Sequence, residues 1–167
     1  MTMQTNQATS IFVDVEKCVD AIIAKVGKKI VFGMPLGLGK PNHLANALYL
    51  RAKKDPSIHL RIMTALSLEV PKGSSDLEKT FLKPFAERIW GDYPALAYLA
   101  DLSSNKLPPN VEVSEFFMKA GVFLNNVVEQ QNYISSNFTH IARDMLENGV
   151  NVLAQIVCKK EINGETF

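Results

Sequence analysis

The stretch VFGMPLGLGKPN, residues 31–42, contains three glycines and two prolines between an apolar run and a helical-looking pattern. Because glycine has no Cβ, Gly33, Gly37 and Gly39 allow a ligand to come close to the backbone. If a strand ends here and a helix begins, free N–H groups and the positive potential of the helix N-terminus favour a negatively charged group. A strand-to-helix turn without a ligand would use the same residue types.

Two common phosphate-binding signatures do not fit this stretch. A P-loop has four residues between its glycines and Ser or Thr after its lysine, whereas five residues separate Gly33 from Gly39 and Pro41 follows Lys40. A dinucleotide fingerprint on Gly37 and Gly39 would require glycine at the position of Asn42. The spacing leaves open a ligand-binding loop, a plain turn, or a nucleotide-binding α/β domain of another type.

A second polar cluster lies in QNYISSNF, which we interpret as a strand followed by a loop. It consists of Asn132, Ser135, Ser136 and Asn137. In an open α/β sheet, ligands bind at the carboxyl ends of the strands, so this cluster is expected at the same edge as the glycine loop. These side chains either hydrogen-bond a ligand's carboxylate or amides, or serve in turns and helix caps.

Other polar residues are weaker candidates. Glu129 is expected to be an exposed glutamate rather than a nucleophile. Lys40 either meets a phosphate group or lies in solvent, and His43 is expected at the surface or near a helix cap. The histidines His43, His59 and His140 lack the spacing of metal ligands, and no cysteine lies near them in sequence. We therefore predict no metal site and no catalytic residue in this chain.

The elements that would position these residues follow from the periodicity of apolar residues and from helix-ending signals. Strands are predicted at 28–33, 57–68, 111–115, 131–138 and 150–160, and helices at 14–27, 41–55, 74–90, 93–104 and 139–149. Asp14 and Thr139 are expected to cap their helices, Gly27 and Gly149 to end them, and Pro84 to kink or split its helix.

Strands alternate with helices, and several strands lack polar alternation. This pattern predicts an α/β fold with a mostly parallel sheet and helices on both faces. We expect one domain at 14–167 and a frayed N-terminus at 1–13. Asn163-Gly164 indicates a hairpin whose second strand is missing at Phe167. We therefore expect the N-terminal domain of a longer, two-domain protein.

Composition argues against several classes of function. The formal net charge is +1, so no bulk attraction to nucleic acid or to a membrane surface is expected. The chain has no apolar run of about 18 residues, and its polar start does not match a secretory signal. We expect a cytoplasmic protein in which Cys18 and Cys158 are buried free thiols rather than a disulfide.

The stretch KKIVFGMPLGLGKPNHLANAL resembles the opening of the acetyl-CoA hydrolase/transferase family, within the coenzyme A transferase superfamily. The stretch NYISSNFTHIARDMLENGVNVLAQIVCKKEINGETF is similar to the end of the family's first half. RIMTALSLE and GDYPALAYL also stand in the expected order. The likeness covers most of residues 28–165 and includes no invariant catalytic motif.

The resemblance implies the first of two α/β halves that face each other across a cleft, in a coenzyme A transferase-like fold. Members move coenzyme A between carboxylic acids, or to water, through a glutamyl-CoA thioester on a glutamate of the second half. The implied partners are acyl-CoA, a small carboxylate and the chain's own C-terminal domain, with a homodimer as an open alternative. Coenzyme A is the substrate, and no tightly bound cofactor is expected.

The first half alone is then expected to be inactive. Its part is to supply backbone N–H donors for the developing oxyanion or to line the acyl pocket. The residues expected to bind coenzyme A or its acyl group are Gly33, Met34, Pro35, Leu36, Gly37, Leu38, Gly39, Asn42, Asn132, Ser135, Ser136 and Asn137. The alternative is a non-catalytic ligand-binding or interaction domain of the same fold.

Overall fold

Four parallel strands form the sheet of this protein, in the order β3-β2-β1-β4. The computed structural model describes residues 9–162 and 165–166. The strands are β1 (Lys29–Gly33), β2 (His59–Thr64), β3 (Val111–Glu115) and β4 (Val152–Leu153). A separate antiparallel pair consists of β5 (Glu161–Ile162) and β6 (Glu165–Thr166). The predicted α/β fold with a parallel sheet is confirmed.

The described residues include six α-helices and one short 3-10 turn. The helices are α1 (Val15–Val26), α2 (Asn42–Lys54), α3 (Asp76–Trp90), α4 (Ala97–Ser103), α5 (Val127–Gln131) and α6 (Ile141–Glu147). The 3-10 turn, Gly37–Gly39, lies between β1 and α2. The carboxyl ends of the strands therefore lead into the loops that carry the predicted site.

The front face of the sheet, which bears Phe32, Ile62 and Val113, packs against α1, α2 and α4. Val19 of α1 and Tyr98 of α4 are buried in this core. The helices bury these apolar faces because removing apolar surface from water is the main driving force of folding.

The opposite face of the sheet is covered mainly at its carboxyl end. There the side chain of Met145, on α6, lies over Gly33. Toward the middle of the sheet, Arg61 donates to Asn148 just beyond α6 (Nη1···Oδ1 3.0 Å) and contacts Glu112. Helices therefore lie on both faces, but unevenly.

Helix α1 has the ends that its sequence predicts. The Asp14 carboxylate accepts a hydrogen bond from the Glu16 N–H at 2.9 Å, and Gly27 has a φ of 79°. Helix α2 begins one residue later than expected, because Pro41 occupies the capping position before Asn42.

Pro84 was expected to kink or split its helix, and the split is wrong, because α3 continues through Pro84 from Asp76 to Trp90. Pro84 is exposed, so the loss of one N–H donor leaves no buried carbonyl group without solvent. The first turn of α3 is stabilised by a capping box, in which the Glu78 N–H donates to the Ser75 hydroxyl at 3.2 Å.

Of the strand and loop predicted at 131–138, only the loop is present. Residues 132–138 form a loop that bonds the end of β3 through the Ile134 N–H and the Glu115 carbonyl, at 3.0 Å. The Asn137 side chain turns the chain by accepting from the N–H groups of Thr139 and His140. The expectation that Thr139 caps α6 is wrong, because His140 occupies the capping position and no side chain caps the first turn. Gly149, with a φ of 78°, follows α6 as predicted.

The strand predicted at 150–160 pairs with the sheet only at Val152 and Leu153. Further along, the Ile156 N–H donates to the Gly39 carbonyl at 3.0 Å. β4 is the outermost strand next to β1, so Leu153, Ile156 and Val157 remain exposed.

Several remaining predictions concern the ends of the chain. Residues 1–8 and the Asn163-Gly164 turn lie outside the described residues, although β5 and β6 flank that turn as a hairpin requires. β6 also supplies two residues of the strand that was expected to be missing.

Both cysteines are free, but the prediction that they are buried is wrong. Cys158 is exposed and Cys18 is partly buried. Within the described part of the chain, no helix has the length and apolar character needed to cross a bilayer.

Truncation of Leu48 tests the position of the core. Leu48 lies on the inner side of α2 and is 2% exposed, so we expect Leu48→Ala to lower the free energy of unfolding by about 2–5 kcal/mol. Leu77→Ala is the matched control, because Leu77 is 81% exposed on α3 and its loss should change stability by less than about 0.5 kcal/mol. The measurement is urea unfolding. Equal midpoints for the two variants would contradict the placement of Leu48 in the core.

Candidate active site

The glycine loop lies at the carboxyl edge of the sheet and is held against the segment that follows β2. The Met34 N–H donates to the Met63 carbonyl at 3.0 Å, and the Gly37 N–H to the Ala65 carbonyl at 3.4 Å. Gly37 has a φ of 60°, a conformation that glycine adopts without steric cost. Leu36 and Leu38 project outward, each 43% exposed. The outer side of the loop is therefore accessible, although the Gly37 amide is already occupied.

Gly33 and Gly39 have different physical roles. A Cβ on Gly33 would lie 2.7 Å from Met145 Cε and 3.0 Å from Leu153 Cδ1, so any side chain there would displace the end of Met145 and crowd Leu153. A Cβ on Gly39 would meet only the Pro35 ring, at 3.4 Å. Gly33 is therefore explained by packing, whereas Gly39 has room for a small side chain.

Lys40 is buried, and both expectations for it, a phosphate contact or solvent exposure, are wrong. The residue is 1% exposed, and its ammonium group donates to the carbonyls of Ala65 (2.5 Å), Leu66 (3.1 Å) and Gly37 (3.4 Å). One side chain thus joins the loop after β1 to the segment after β2. Leu66 is held in the left-handed region, with a φ of 48°, which is uncommon for a residue other than glycine.

Glu115, at the carboxyl end of β3, is the centre of a buried polar group. Its carboxylate accepts a short hydrogen bond from the Ser67 hydroxyl, which also lies 2.7 Å from the hydroxyl of Tyr98. Glu115 and Tyr98 are buried. The segment after β2, the end of β3 and helix α4 are therefore connected by polar side chains.

Glu129 is also buried, which contradicts the expectation of an exposed side chain. It is 0% exposed, and neither carboxylate oxygen has a hydrogen-bond partner within the described residues. Its backbone is held in the first turn of α5, where the Glu129 N–H donates to the Asn126 side chain at 3.1 Å. A buried carboxylate without a partner is costly, which favours its neutral form.

The ionisation of these groups follows from burial and from one another. Burial lowers the pKa of Lys40 to about 8, and the nearby charge of Glu115 opposes this change. Burial, with repulsion from Glu115, raises the pKa of Glu129 to about 7. Burial likewise raises the pKa of Glu115, against the effects of the Ser67 hydrogen bond and of Lys40. We call Lys40, Glu115, Ser67, Tyr98 and Glu129 the buried polar cluster.

The second predicted group of residues, in the loop 132–138, lies beside the end of β3. The Ser136 hydroxyl donates to Asp144 at 2.5 Å, and Asn137 turns the chain toward α6, so these two side chains have structural partners. Asn132 ends α5, and Ser135 is exposed. Their part in ligand binding stays a prediction.

A small cavity of only about 10 Å³ is lined by Met34 of the glycine loop and by Ile134 of the 132–138 loop. The two predicted segments therefore lie close together at the sheet edge. The space between them is closed to anything larger than a water molecule.

Asn42 and two aromatic residues contribute further unpaired polar atoms. The Asn42 amide nitrogen donates to the Pro94 carbonyl at 2.6 Å, but its Oδ1 has no partner within the described residues. The same holds for Trp90 Nε1 and the Tyr93 hydroxyl, whose rings contact edge to face with centroids 4.8 Å apart. Asn42 is therefore buried and anchors α2 to the segment before α4.

A larger cavity opens at the surface beside α5. Its volume is about 540 Å³, and Phe117, Phe123, Leu124 and Tyr133 form its apolar walls. Small-molecule sites typically have a volume of roughly 300–1,000 Å³ and mainly apolar walls. The Phe117 carbonyl accepts a hydrogen bond from the Leu66 N–H at 2.7 Å, which connects this cavity to the segment that Lys40 holds.

His43 is exposed in the first turn of α2, as expected. Among the described residues, no group of three or more histidine, cysteine or acidic side chains is arranged to hold a metal ion.

Sequence reasoning missed the buried polar cluster, although one signal was present. In β3, Val111, Val113 and Glu115 alternate toward the same face, so a glutamate takes a position that the pattern assigns to the core. The burial of Lys40 and Glu129 had no comparable signal. Lys40 directly follows the turn Gly37–Gly39 and Glu129 lies in the first turn of a short helix, where the alternation of apolar residues assigns no face.

Comparisons with protein-family models, with curated proteins and with solved structures find no match to this chain.

Replacing Glu129 tests whether its carboxyl group is neutral in the folded protein. Its folded-state pKa of about 7 lies above the ordinary value of 4.5, so its contribution to stability is present below pH 4.5 and is lost as the pH rises through about 7. We expect Glu129→Gln to match the wild type near pH 4.5 and to exceed it by about 3 kcal/mol near pH 8.

The measurement is urea unfolding at several pH values. Glu69→Gln is the matched control, because it makes the same chemical change at an exposed glutamate. Parallel stability curves for wild type and Glu129→Gln would show that the folded protein does not bind the additional proton.

Proposed function

We propose that this chain binds an acyl-CoA at the carboxyl edge of its sheet, as the N-terminal half of an acetyl-CoA hydrolase or CoA transferase. The main support is a single observation: three features meet at the carboxyl edge of the parallel sheet. The glycine loop follows β1, the cavity of about 540 Å³ is lined by residues that follow β3, and the 132–138 loop hydrogen-bonds the end of β3. Ligands of open α/β sheets bind at this edge. The sequence resemblance supplies the class of ligand.

The geometry suggests which part of the loop meets the ligand. The Gly37 amide already donates to Ala65, so the contact falls on the outer side of the loop, at Leu36, Leu38 and Gly39. Backbone N–H groups there would hydrogen-bond the thioester carbonyl, and the two leucines would contact the apolar part of the ligand. The cavity lined by Phe117 and Tyr133 would hold the acyl group or the pantetheine chain.

The proposed chemistry needs a nucleophilic glutamate from a second half. The two buried carboxyl groups of the polar cluster, Glu115 and Glu129, lie in the core and not on an accessible surface, so neither is assigned that role. The nucleophile would attack the thioester carbonyl, release the CoA thiolate and form an acyl-glutamyl anhydride. The thiolate would then attack the glutamyl carbonyl, giving the glutamyl-CoA thioester and the free acid.

A row of exposed apolar side chains supports the presence of a second half as partner. Leu77, Phe81, Phe85 and Ile89 lie four residues apart along α3 and are exposed. Residues at this spacing share one side of a helix, and an exposed apolar row is typical of an interaction surface.

The first test measures ligand binding by the chain as it stands. We expect saturable binding of acetyl-CoA in calorimetry, without release of free thiol, since the nucleophile is not supplied here. Binding of ATP or NAD in preference to acetyl-CoA would instead favour a nucleotide-binding domain. Thiol release by this chain alone would contradict the assignment of the nucleophile to a second half.

Adding a methyl group at Gly39 probes the loop itself. Its backbone is not in the left-handed region and the new Cβ would lie 3.4 Å from the Pro35 ring, so Gly39→Ala should fold with little loss of stability. If a thioester contacts this backbone, affinity for acetyl-CoA should fall about tenfold, the equivalent of one lost hydrogen bond between neutral groups. Unchanged affinity, with unchanged thermal unfolding, would indicate that the loop is a turn that does not contact the ligand.

A further inference from the structure

The Lys40 side chain connects two backbone segments that border the proposed acyl-CoA site. Its ammonium group contacts one carbonyl of the glycine turn, at Gly37, and two successive carbonyls after β2, at Ala65 and Leu66. The Gly37 N–H donates back to Ala65 at 3.4 Å, a long hydrogen bond. The lysine therefore holds the Gly37 end of the turn more closely than this hydrogen bond does, while the Thr64 hydroxyl donates to the Pro35 carbonyl at 3.2 Å at the start of the loop.

The contact between Lys40 and Leu66 also links the glycine turn to the wall of the cavity beside α5. Leu66 has a φ of 48°, a conformation that persists only where surrounding contacts hold it. Lys40 contacts the Leu66 carbonyl on one side, and the Leu66 N–H donates to the Phe117 carbonyl on the other. Phe117 is part of the wall of the cavity of about 540 Å³. The glycine turn and the cavity are therefore linked through Lys40 and Leu66.

We propose that Lys40 is a positioning residue for acyl-CoA binding: its ammonium group holds the glycine turn and the Leu66–Phe117 segment in the relative arrangement that the ligand requires. This inference rests on the function proposed above. Lys40 does not touch the ligand, because it is 1% exposed beneath the loop. It acts through the backbone carbonyls that it binds.

The burial of Lys40 makes this role dependent on pH, because burial lowers the pKa of its ammonium group against the opposing charge of Glu115. Glu115, on β3, is the charged group that acts on Lys40; Ser67 hydrogen-bonds Glu115, and the charge of Glu115 in turn acts on Tyr98 and Glu129. Lys40 has a pKa of about 8, so its amine loses a proton between pH 7 and pH 9. A neutral amine has one donor fewer and directs a lone pair at carbonyl oxygens, which weakens its hold on the turn.

The test compares Lys40→Met, Lys40→Arg and the control Lys28→Met by acetyl-CoA calorimetry at pH 7 and pH 9. The wild type should bind about tenfold more weakly at pH 9, since most of Lys40 is then neutral. Lys40→Arg keeps its charge in this range and should lose this pH dependence, whereas Lys40→Met should bind weakly at both pH values. Lys28, an exposed lysine paired with Asp55 at the opposite edge of the sheet, should behave as the wild type when replaced.

A second measurement separates this inference from the proposed function. Hydrogen exchange of residues 34–40 in the ligand-free protein should be faster in Lys40→Met than in Lys28→Met, because the turn is no longer held. If the wild type binds no acetyl-CoA, the proposed function fails, and unchanged exchange in Lys40→Met would overturn the positioning role separately.

Equal acetyl-CoA affinity of wild type and Lys40→Met would also overturn the inference. If Lys40→Met does not fold, the test rests on the pH dependence of acetyl-CoA affinity in the wild type and in Lys40→Arg. The same pH dependence in both proteins would then refute a role for the lysine proton.

Discussion

The ammonium group of Lys40 is the interaction on which the carboxyl edge of this protein depends. It satisfies three backbone carbonyls from two segments that no helix or strand joins. A buried lysine is stable only where such acceptors and an opposite charge replace the lost water. Glu115 supplies the charge from the end of β3. The segments after β1 and β2 are therefore connected by one side chain, and a hydrophobic residue of the same size would offer their carbonyls no donor.

The buried polar cluster illustrates how a core accommodates ionisable groups. Lys40 and Glu115 attract each other, and Ser67 and Tyr98 complete the hydrogen bonding around the Glu115 carboxylate. Glu129 has no such partner, and its carboxyl group is kept close to neutral by burial and by the Glu115 charge. Interacting carboxyl groups in a region of low dielectric constant ionise in separate steps. The net charge of the buried polar cluster therefore depends on pH. The cluster lies next to the surface that the proposed ligand would occupy.

Glycine serves two purposes along the loop after β1, and only the three-dimensional structure distinguishes them. Gly33 makes room for Met145 and Leu153 from distant parts of the chain, while Gly37 adopts a backbone conformation suited to glycine. The exposed apolar row on α3 and the exposed residues after β4 form further surfaces of the same molecule. The surfaces available for recognition thus lie around the sheet edge and on α3, rather than over the well-packed front face.

The sequence by itself determined the parallel α/β fold, the bounds of β3 and the ends of α1, because these features depend on local periodicity and capping. It also located the glycine loop at a strand end. Only the tertiary structure decided that Lys40, Glu115 and Glu129 are buried together, since their meeting depends on how the loops after β1, β2 and β3 converge. The strand expected at 131–138 failed for a related reason: Asn137 bonds the backbone locally and turns the chain away from the sheet. Local pattern predicts elements, whereas burial of polar groups is decided by contacts between residues far apart in sequence.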